Sequence, residues 1–410
     1  MKALPIIVAA LVIGIVASFL VFYYYQSRPE HEIVGRLDNE EEQPVVFGNA
    51  TNLTNNDHDS VYGQIAAWNS SVYVVWQDSV SGRNYDIFLR KSNDEGNTYG
   101  SPVNLSSNPG FSEHPQLSAF ENNIYAAWAD NTLGNREVLF TRSIDGGSSF
   151  ENTLNLSNNT SDSHNQEMAA FASNVYVIWI DQDEHENTNI LFRTSPDNGM
   201  TFGRIVNISS QADAESFPKV AAYGNDVYVT WNMNADKRNS GLYFAKSSDR
   251  GSTFGNVTKL DGSSGESQVA TFNGSVYVVS GGLDSSKVNG LVFLKSSDNG
   301  KSFSDPLQID AGSEFVNPLN VELVASDHNI VYVAGQVYFA GNEEILLLSI
   351  TGDNAIDVVN LSKNGKVSEC PSIAMTPNNI YVVWEDLTPG NHEILYSKGI
   401  KTLKSAGGGI

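Results

Sequence analysis

The chain repeats one short stretch, Val72-Tyr73-Val74-Val75-Trp76, seven times with small changes. Its β-branched and aromatic residues favour a strand. The tyrosine recurs about every 50 residues, at Tyr73, Tyr125, Tyr176, Tyr228, Tyr277, Tyr332 and Tyr381. A period of about 50 residues, without helical periodicity, is typical of the blades of a β-propeller. The recurrence of these tyrosines, and of the tryptophans that follow them, predicts that both are core residues, the tryptophans being Trp76, Trp128, Trp179, Trp231 and Trp384.

Each period contains four short strands. A first strand is followed by a tight Asn/Gly turn and then by the tyrosine-containing second strand, which often ends in Trp-x-Asp. A polar loop leads to a third strand, and a Ser-x-Asp-x-Gly turn leads to a fourth strand with Asn-Leu-Ser. Four strands per period predict one four-stranded antiparallel blade.

The two ends of the repeat region predict how the ring closes. The seventh period stops after its third strand, Glu393 to Lys398, and lacks a fourth. The segment Phe47 to Leu53 matches the fourth-strand segment Phe254 to Leu260. We therefore predict an all-β, seven-bladed propeller over residues 44–400, in which the N-terminal strand completes the last blade and hides two sheet edges.

Five turns share an eight-residue pattern, Ser-x-Asp-x-Gly-x-x-aromatic. The serine and aspartate oxygens can bind backbone groups within the turn, and glycine accepts a positive φ. The last aromatic residue is expected to pack between neighbouring sheets. The pattern residues are Ser92, Asp94, Gly96, Tyr99; Ser143, Asp145, Gly147, Phe150; Ser195, Asp197, Gly199, Phe202; Ser247, Asp249, Gly251, Phe254; and Ser296, Asp298, Gly300, Phe303.

These turns resemble the Asp boxes, also called BNR repeats, of the sialidase superfamily and related propellers. The resemblance covers almost all of residues 44–400 and implies a propeller fold, in which such turns are structural and lie away from the central site. Sialidases use a tyrosine nucleophile with a glutamate, an aspartate acid/base, three substrate-binding arginines and an early Arg-Ile-Pro. This chain lacks Arg-Ile-Pro, and Arg90, Arg142 and Arg193 lie just before the turns. Typical sialidases also have six blades, so the catalytic residues are left unassigned.

The N-terminal segment predicts export from the cytoplasm. Residues 3–25 carry no charge and are long enough to cross a bilayer of about 30 Å. We interpret residues 1–25 as an uncleaved signal-anchor, with a cleaved signal peptide as the alternative. Residues 26–43 read as a polar linker, and residues 401–410 as a flexible tail. Eleven Asn-x-Ser/Thr sequons agree with an extracellular, single-pass membrane glycoprotein.

The charge balance excludes one class of partner. The chain has 24 Lys and Arg against 47 Asp and Glu, a net charge of −23, and one cysteine. A nucleic-acid-binding protein needs a basic surface, so no nucleic-acid partner is expected. A single cysteine excludes an intrachain disulfide and any two-cysteine metal or redox site. We predict no cofactor and no metal.

Candidate ligand-binding residues fall on the face opposite the Ser-x-Asp-x-Gly turns. They belong to the Trp-x-Asp motifs and to the segments that lead into the blades, and comprise Asp78, Asp130, Asp181, Asp386, Glu113, His164 and Glu369. Together they form an acidic funnel suited to a cation, an amine-bearing glycan or a basic protein patch. In the competing interpretation, an aspartate repeated in four blades caps the backbone amides of a loop.

Three functions are compatible with these patterns. The leading hypothesis is a membrane-anchored cell-surface propeller that binds a glycan or protein partner without catalysis. The enzyme alternative is a divergent sialidase-like glycoside hydrolase, which would need two convergent carboxylates in the funnel. A surface assembly scaffold is the third.

Overall fold

The structure is a computed structural model. It describes residues 45–80, 84–209, 215–233, 240–260, 266–281, 291–309, 319–326, 330–339, 341–352 and 354–401. These residues lie in one compact unit, Gln43–Leu403. The predicted signal-anchor (1–25), the linker (26–43) and residues 402–410 of the tail lie outside the described residues. Within the described ranges, no helix is long and apolar enough to span a membrane.

The described residues form 29 strands, which build seven antiparallel sheets, one per blade. Blade 1 contains β3 (Ser60–Trp68), β4 (Ser71–Ser79), β5 (Tyr85–Ser92) and β6 (Val103–Asn104). Blade 2 contains β7 (Ser112–Phe120), β8 (Asn123–Asp130), β9 (Glu137–Ser143) and β10 (Leu154–Asn155). Blade 3 contains β11 (Asp162–Phe171), β12 (Asn174–Gln182), β13 (Thr188–Ser195) and β14 (Val206–Asn207).

The next three blades have the same strand order. Blade 4 contains β15 (Glu215–Tyr223), β16 (Asp226–Met233), β17 (Gly241–Ser247) and β18 (Thr258–Leu260). Blade 5 contains β19 (Ser267–Phe272), β20 (Ser275–Gly281), β21 (Leu291–Ser296) and β22 (Leu307–Ile309). Blade 6 contains β23 (Leu319–Ala325), β24 (Ile330–Phe339), β25 (Asn342–Thr351) and β26 (Asn354–Asn360). We call the first strand of each blade its inner strand.

Blade 7 joins the two ends of the repeat region. It contains β27 (Ser368–Met375), β28 (Asn379–Asp386) and β29 (Glu393–Ile400), and two N-terminal strands, β1 (Val46–Phe47) and β2 (Thr51–Asn52), both pair with β29. Thr51 pairs with Tyr396 and Asn52 with Leu395. The seven-bladed, four-stranded, antiparallel fold is confirmed, and ring closure by the N-terminal strand is consistent with this sheet.

The core lies between neighbouring blades. At the closing interface, Val74 and Trp76 of blade 1 pack in one cluster with Tyr381 and Val383 of blade 7. The predicted core tryptophans are between 0% and 2% exposed, as the recurrence predicts. Burying such large aromatic side chains supplies much of the apolar area that holds adjacent sheets together.

The five Ser-x-Asp-x-Gly turns have the same internal hydrogen bonds. In the first, the Ser92 hydroxyl donates to Asp94 Oδ1 at 2.7 Å and accepts from the Gly96 amide at 2.9 Å. The Thr98 hydroxyl and amide both donate to the Asp94 carboxylate. Hydrogen bonds from Thr98 and then Ser92 stabilise the charged form and lower the pKa of Asp94 to about 2. The Asp94 carboxylate therefore stabilises the turn in which it lies.

The aromatic residue that ends a turn packs onto the preceding blade. Phe254 meets Phe192 edge-to-face with centroids 5.1 Å apart, and Phe202 meets Phe140 in the same way at 5.0 Å. The glycine of each of these two turns lies against the same aromatic ring: a Cβ on Gly251 would be 2.5 Å from Phe192 Cε1, and one on Gly199 would be 2.7 Å from Phe140 Cζ. The predicted packing between sheets is confirmed for these turns.

This packing predicts that Gly251→Ala destabilises the protein by roughly 2–4 kcal/mol, because it combines a positive φ of +77° with a clash against Phe192. Gly224→Ala in the same blade is the matched control, since Gly224 also has a positive φ (+64°) but no atom within 4 Å of its added Cβ. Urea unfolding midpoints measure both variants. Equal losses would show that the interblade contact contributes nothing.

Candidate functional site

A cavity of about 330 Å³ lies where the seven inner strands meet. Every blade contributes residues to its wall, and the inner strands contact one another in sequence around the ring, with β27 returning to β3. Concave sites with a mixture of apolar and convergent polar side chains are where proteins bind small ligands. This cavity is therefore the candidate functional site.

In the part of the chain that the structure describes, a β-bulge shapes the cavity wall in six blades. The pairing of the inner strand with the second strand shifts register there. At each bulge a non-glycine residue has a positive φ between 45° and 54°, and all six line the cavity: Tyr62, His114, Asn165, Phe217, Asn320 and Cys370. Such conformations cost of order 1 kcal/mol each and re-aim the side chain. The bulge therefore presents six side chains of five different kinds at one level of the ring.

The preceding blade holds the bulge in place in three of these positions. Gln77 Oε1 accepts a hydrogen bond from the His114 amide at 2.7 Å, and Gln336 Oε1 accepts one from the Cys370 amide at 3.3 Å. Glu385 Oε1 accepts one from the Tyr62 amide at 2.7 Å. The acceptors occupy equivalent positions on the second strands of blades 1, 6 and 7.

Two aromatic side chains are exposed at the bulge level. The Tyr62 residue is 38% exposed and Phe217 is 40% exposed. The Tyr62 ring lies 4.2 Å from the His114 ring, centroid to centroid. Burial lowers the pKa of His114 and raises the pKa of Tyr62, so both side chains favour their neutral forms. The neutral rings of Tyr62 and His114 lie in the same wall as the side-chain amides of Gln64 and Gln116. A ligand would therefore meet apolar ring faces and hydrogen-bonding groups together.

A layer of polar side chains follows the bulge. One equivalent position on the seven inner strands is polar in every blade, occupied by Gln64, Gln116, Glu167, Lys219, Gln268, Glu322 and Ser372. Lys219 Nζ donates to Glu167 Oε1 and lies 3.6 Å from Glu322 Oε1. Both carboxylates therefore contact one ammonium group and lie close together.

The charges in this layer perturb one another. Burial raises the pKa of Glu322 to about 7, although Lys219 acts in the opposite direction. Burial also raises the pKa of Glu266, which lines the same cavity. Burial alone would lower the pKa of Lys219, but the Glu167 and Glu322 carboxylates more than offset it, so that pKa is raised. The cavity therefore holds a permanent cation among carboxyl groups of differing acidity.

Two basic side chains flank the cavity. In blade 2, Arg136 lies 3.5 Å from Glu113 and also pairs with Asp162. In blade 7, His392 Nδ1 lies 3.7 Å from both Glu369 and Glu385. Cys370 follows Glu369 in the chain, and burial, together with the two glutamates, raises the pKa of its thiol.

The structure places the predicted Trp-x-Asp residues beneath the loops. The Asp386 carboxylate accepts hydrogen bonds from the Asn364 amide, the Ser368 hydroxyl and the Trp384 indole, and from the Thr388 backbone amide. An asparagine amide and a serine hydroxyl likewise donate to each of the equivalent carboxylates Asp78, Asp130 and Asp181. Loop hydrogen bonds thus account for all four, and a ligand-binding role for them stays a prediction.

The other predicted residues, Glu113, His164 and Glu369, lie around the cavity without lining it. His164 Nδ1 is 3.3 Å from the Asp162 carbonyl, and burial lowers its pKa. Sequence reasoning missed Lys219, Glu322 and His392 altogether. A signal existed for the first two, since aligning the seven periods gives a column that is polar in every blade directly before an apolar segment.

Comparison with known proteins shows the fold and no family. No protein-family model matches the chain, and no curated protein matches it. A Dyadobacter fermentans protein of unknown function has a similar structure (TM-score 0.56, 13% identity, 87% of this chain and 99% of that one). An ulvan lyase, a polysaccharide lyase bound to a glucuronate–rhamnose-3-sulfate unit, is also similar (0.57, 11%, 86% and 95%). A Trypanosoma rangeli sialidase mutant matches over 88% of this chain but only 58% of its own (0.51, 12%).

The raised pKa of Glu322 predicts a stability that falls as pH rises. Between its ordinary value of 4.5 and about 7, the Glu322 carboxyl of the folded protein holds a proton that the unfolded chain has released, so its contribution to stability is fully present below 4.5 and is lost as the pH rises through 7. Glu322→Gln should flatten the curve of unfolding free energy over this window, by roughly 3 kcal/mol at most. Urea unfolding at pH 4.5, 6 and 8 measures it, with the exposed Glu121→Gln as control. A slope unchanged in Glu322→Gln contradicts the assignment.

Proposed function

We propose that the protein is an Asp-box propeller displayed at the cell surface that binds a glycan in the central cavity. The observation that carries the proposal is the pairing, inside one cavity, of exposed aromatic rings at Tyr62 and Phe217 with a layer of carboxylates and amides. Sugar rings offer apolar C–H faces to aromatic rings and hydroxyl groups to polar side chains, which matches such a lining.

The charge of the cavity indicates the class of glycan. Three glutamates, Glu167, Glu266 and Glu322, face one lysine, Lys219. An anionic sugar would meet carboxylates, and the single ammonium among the described lining residues is already engaged by two of them. A neutral or amine-bearing saccharide therefore fits best. Surface display would follow from the predicted signal-anchor (1–25).

Binding is tested with the full chain on a glycan microarray, followed by calorimetry on each hit. We expect Tyr62→Ala and Phe217→Ala each to weaken binding roughly tenfold, or about 1.4 kcal/mol, because each removes a stacking face. Phe111→Ala is the matched control, since Phe111 is also 40% exposed but does not line the cavity. Hits whose affinity is unchanged in both cavity variants would place the binding surface elsewhere.

A second candidate, a glycoside hydrolase, is favoured by one observation. Glu322 has a pKa raised to about 7 and shares the Lys219 ammonium with Glu167. A proton-holding carboxyl group next to a second carboxyl group is the pairing that glycosidases use as acid and as base or nucleophile. In this reading Glu322 is the general acid and Glu167 its partner.

Turnover on fluorogenic glycosides, including sialosides, decides between the two functions. If the protein is a hydrolase, Glu322→Gln should lower kcat at least 100-fold, because it removes the transferable proton, while Glu113→Gln outside the cavity leaves kcat within about twofold. Absence of turnover in a folded sample that still binds glycans would leave the binding function alone. Activity retained in Glu322→Gln would exclude Glu322 as the acid.

A further inference from the structure

Three metal-ligating side chains meet at the edge of blade 7 beside the cavity. Glu369 lies on the inner strand, Glu385 is its direct partner on the second strand, and His392 immediately precedes the third strand. The His392 backbone is fixed to blade 1, since its amide donates to Asp59 Oδ1 at 3.1 Å and its carbonyl accepts from Ser60 at 2.8 Å. The three side chains therefore project from a rigid frame.

Their spacing suits a shared ion better than hydrogen bonds. His392 Nδ1 lies 3.7 Å from Glu369 Oε1 and 3.7 Å from Glu385 Oε2, and the three ligand atoms all lie within 4.8 Å of one another. Both 3.7 Å separations are too long for a hydrogen bond. The His392 Nδ1 atom is nevertheless buried and has no hydrogen-bond partner. A buried ring nitrogen that faces two carboxylates without making a hydrogen bond needs a partner. A cation bound between the nitrogen and the two carboxylates would be that partner.

The charge of the cluster leads to the same conclusion. The Glu385 side chain is 5% exposed and the Glu369 side chain 29% exposed, so two carboxylates share a poorly solvated space. Among the described residues, His392 is the one basic side chain within ion-pair distance of either. The equivalent place in blade 2 holds a permanent cation, Arg136, beside Glu113. Blade 7 has a histidine there, which is neutral when it acts as a ligand.

The presence of a glutamate rather than a glutamine at position 385 also favours a bound cation. Its Oε1 caps the backbone of the next blade, a task that a neutral glutamine performs at the equivalent positions Gln77 and Gln336. The cap therefore needs no charge. A buried carboxylate costs free energy unless a cation compensates it or it takes up a proton. The charge at this position in blade 7 is explained when its second oxygen, Oε2, binds a cation.

We propose that Glu369, Glu385 and His392 bind a divalent transition-metal cation of the zinc class. One imidazole and two carboxylates are a ligand set for Zn²⁺, Co²⁺ or Mn²⁺, whereas Ca²⁺ and Mg²⁺ prefer oxygen ligands alone. Two carboxylates balance the charge of the ion. Three protein ligands leave a coordination position free for water or a ligand group, and the adjacent residues Tyr62 and Cys370 line the cavity.

The site is tested by calorimetric titration of the metal-stripped full chain with ZnCl₂, and by the visible absorption of bound Co²⁺. We expect saturable binding of one ion per chain, with an intense Co²⁺ spectrum typical of low coordination number. His392→Ala and Glu385→Gln should each weaken Zn²⁺ binding at least 100-fold. Glutamine at 385 keeps the acceptor for Tyr62, so this variant is expected to fold.

Two controls make the result decisive. His164→Ala, which removes a histidine on the same face outside the cluster, should leave Zn²⁺ affinity unchanged. CaCl₂ should not compete with Zn²⁺ at equal concentration. The proposal is overturned if Zn²⁺ and Co²⁺ show no saturable binding, if His392→Ala and Glu385→Gln bind like the wild type, or if Ca²⁺ binds in preference. The first of these outcomes would leave His392 as an ion-pair partner of the two glutamates.

Discussion

Each inner strand pairs with one neighbour in its sheet, so its other edge faces the centre of the ring with unpaired backbone groups. Satisfying those groups is the constraint on which the rest of the structure depends, because buried amides need acceptors. The bulge shifts the edge, and side chains of the preceding blade then bind its amides, as Gln77 does for His114. At the three positions where this occurs, one geometric solution fixes the inner strand and couples it to the neighbouring blade.

The bulge leaves the side chains that face the cavity independent of the backbone fold. The bulge fixes the backbone but not the side chain, since tyrosine, histidine, asparagine, phenylalanine and cysteine all occupy it. Stability comes instead from contacts further out, where Trp384 is fully buried and the turn aromatics interlock with the preceding blade. The residues that face the cavity are therefore free to differ from blade to blade without loss of the propeller.

The architecture was predictable because it depends on local patterns that repeat. Strand periodicity, turn chemistry and the match between Phe47–Leu53 and a fourth strand are each visible in the sequence, and the pairing of Thr51 with Tyr396 is what that match predicts. Lys219 and Glu322 were not predictable by alternation. The bulge inserts one residue, so the alternation of inward and outward side chains changes phase along the inner strand. The alternating sequence pattern therefore no longer indicates which side chains reach the centre of the ring. His392 and Glu369 lie 23 positions apart in sequence and meet through strand pairing.

Because the blades repeat, each residue can be compared with the residues at the equivalent positions of the other blades. The Trp-x-Asp carboxylates recur and are bound by recurring donors, such as Asn364 and Ser368 around Asp386, so recurrence marks structure. A residue that differs in type from those at the equivalent positions of the other blades is not explained by the repeated structure. Lys219 is the one cation in a column of amides, acids and a serine, and His392 stands where blade 2 has Arg136. A propeller needs neither exception to close, and both occur beside the same cavity.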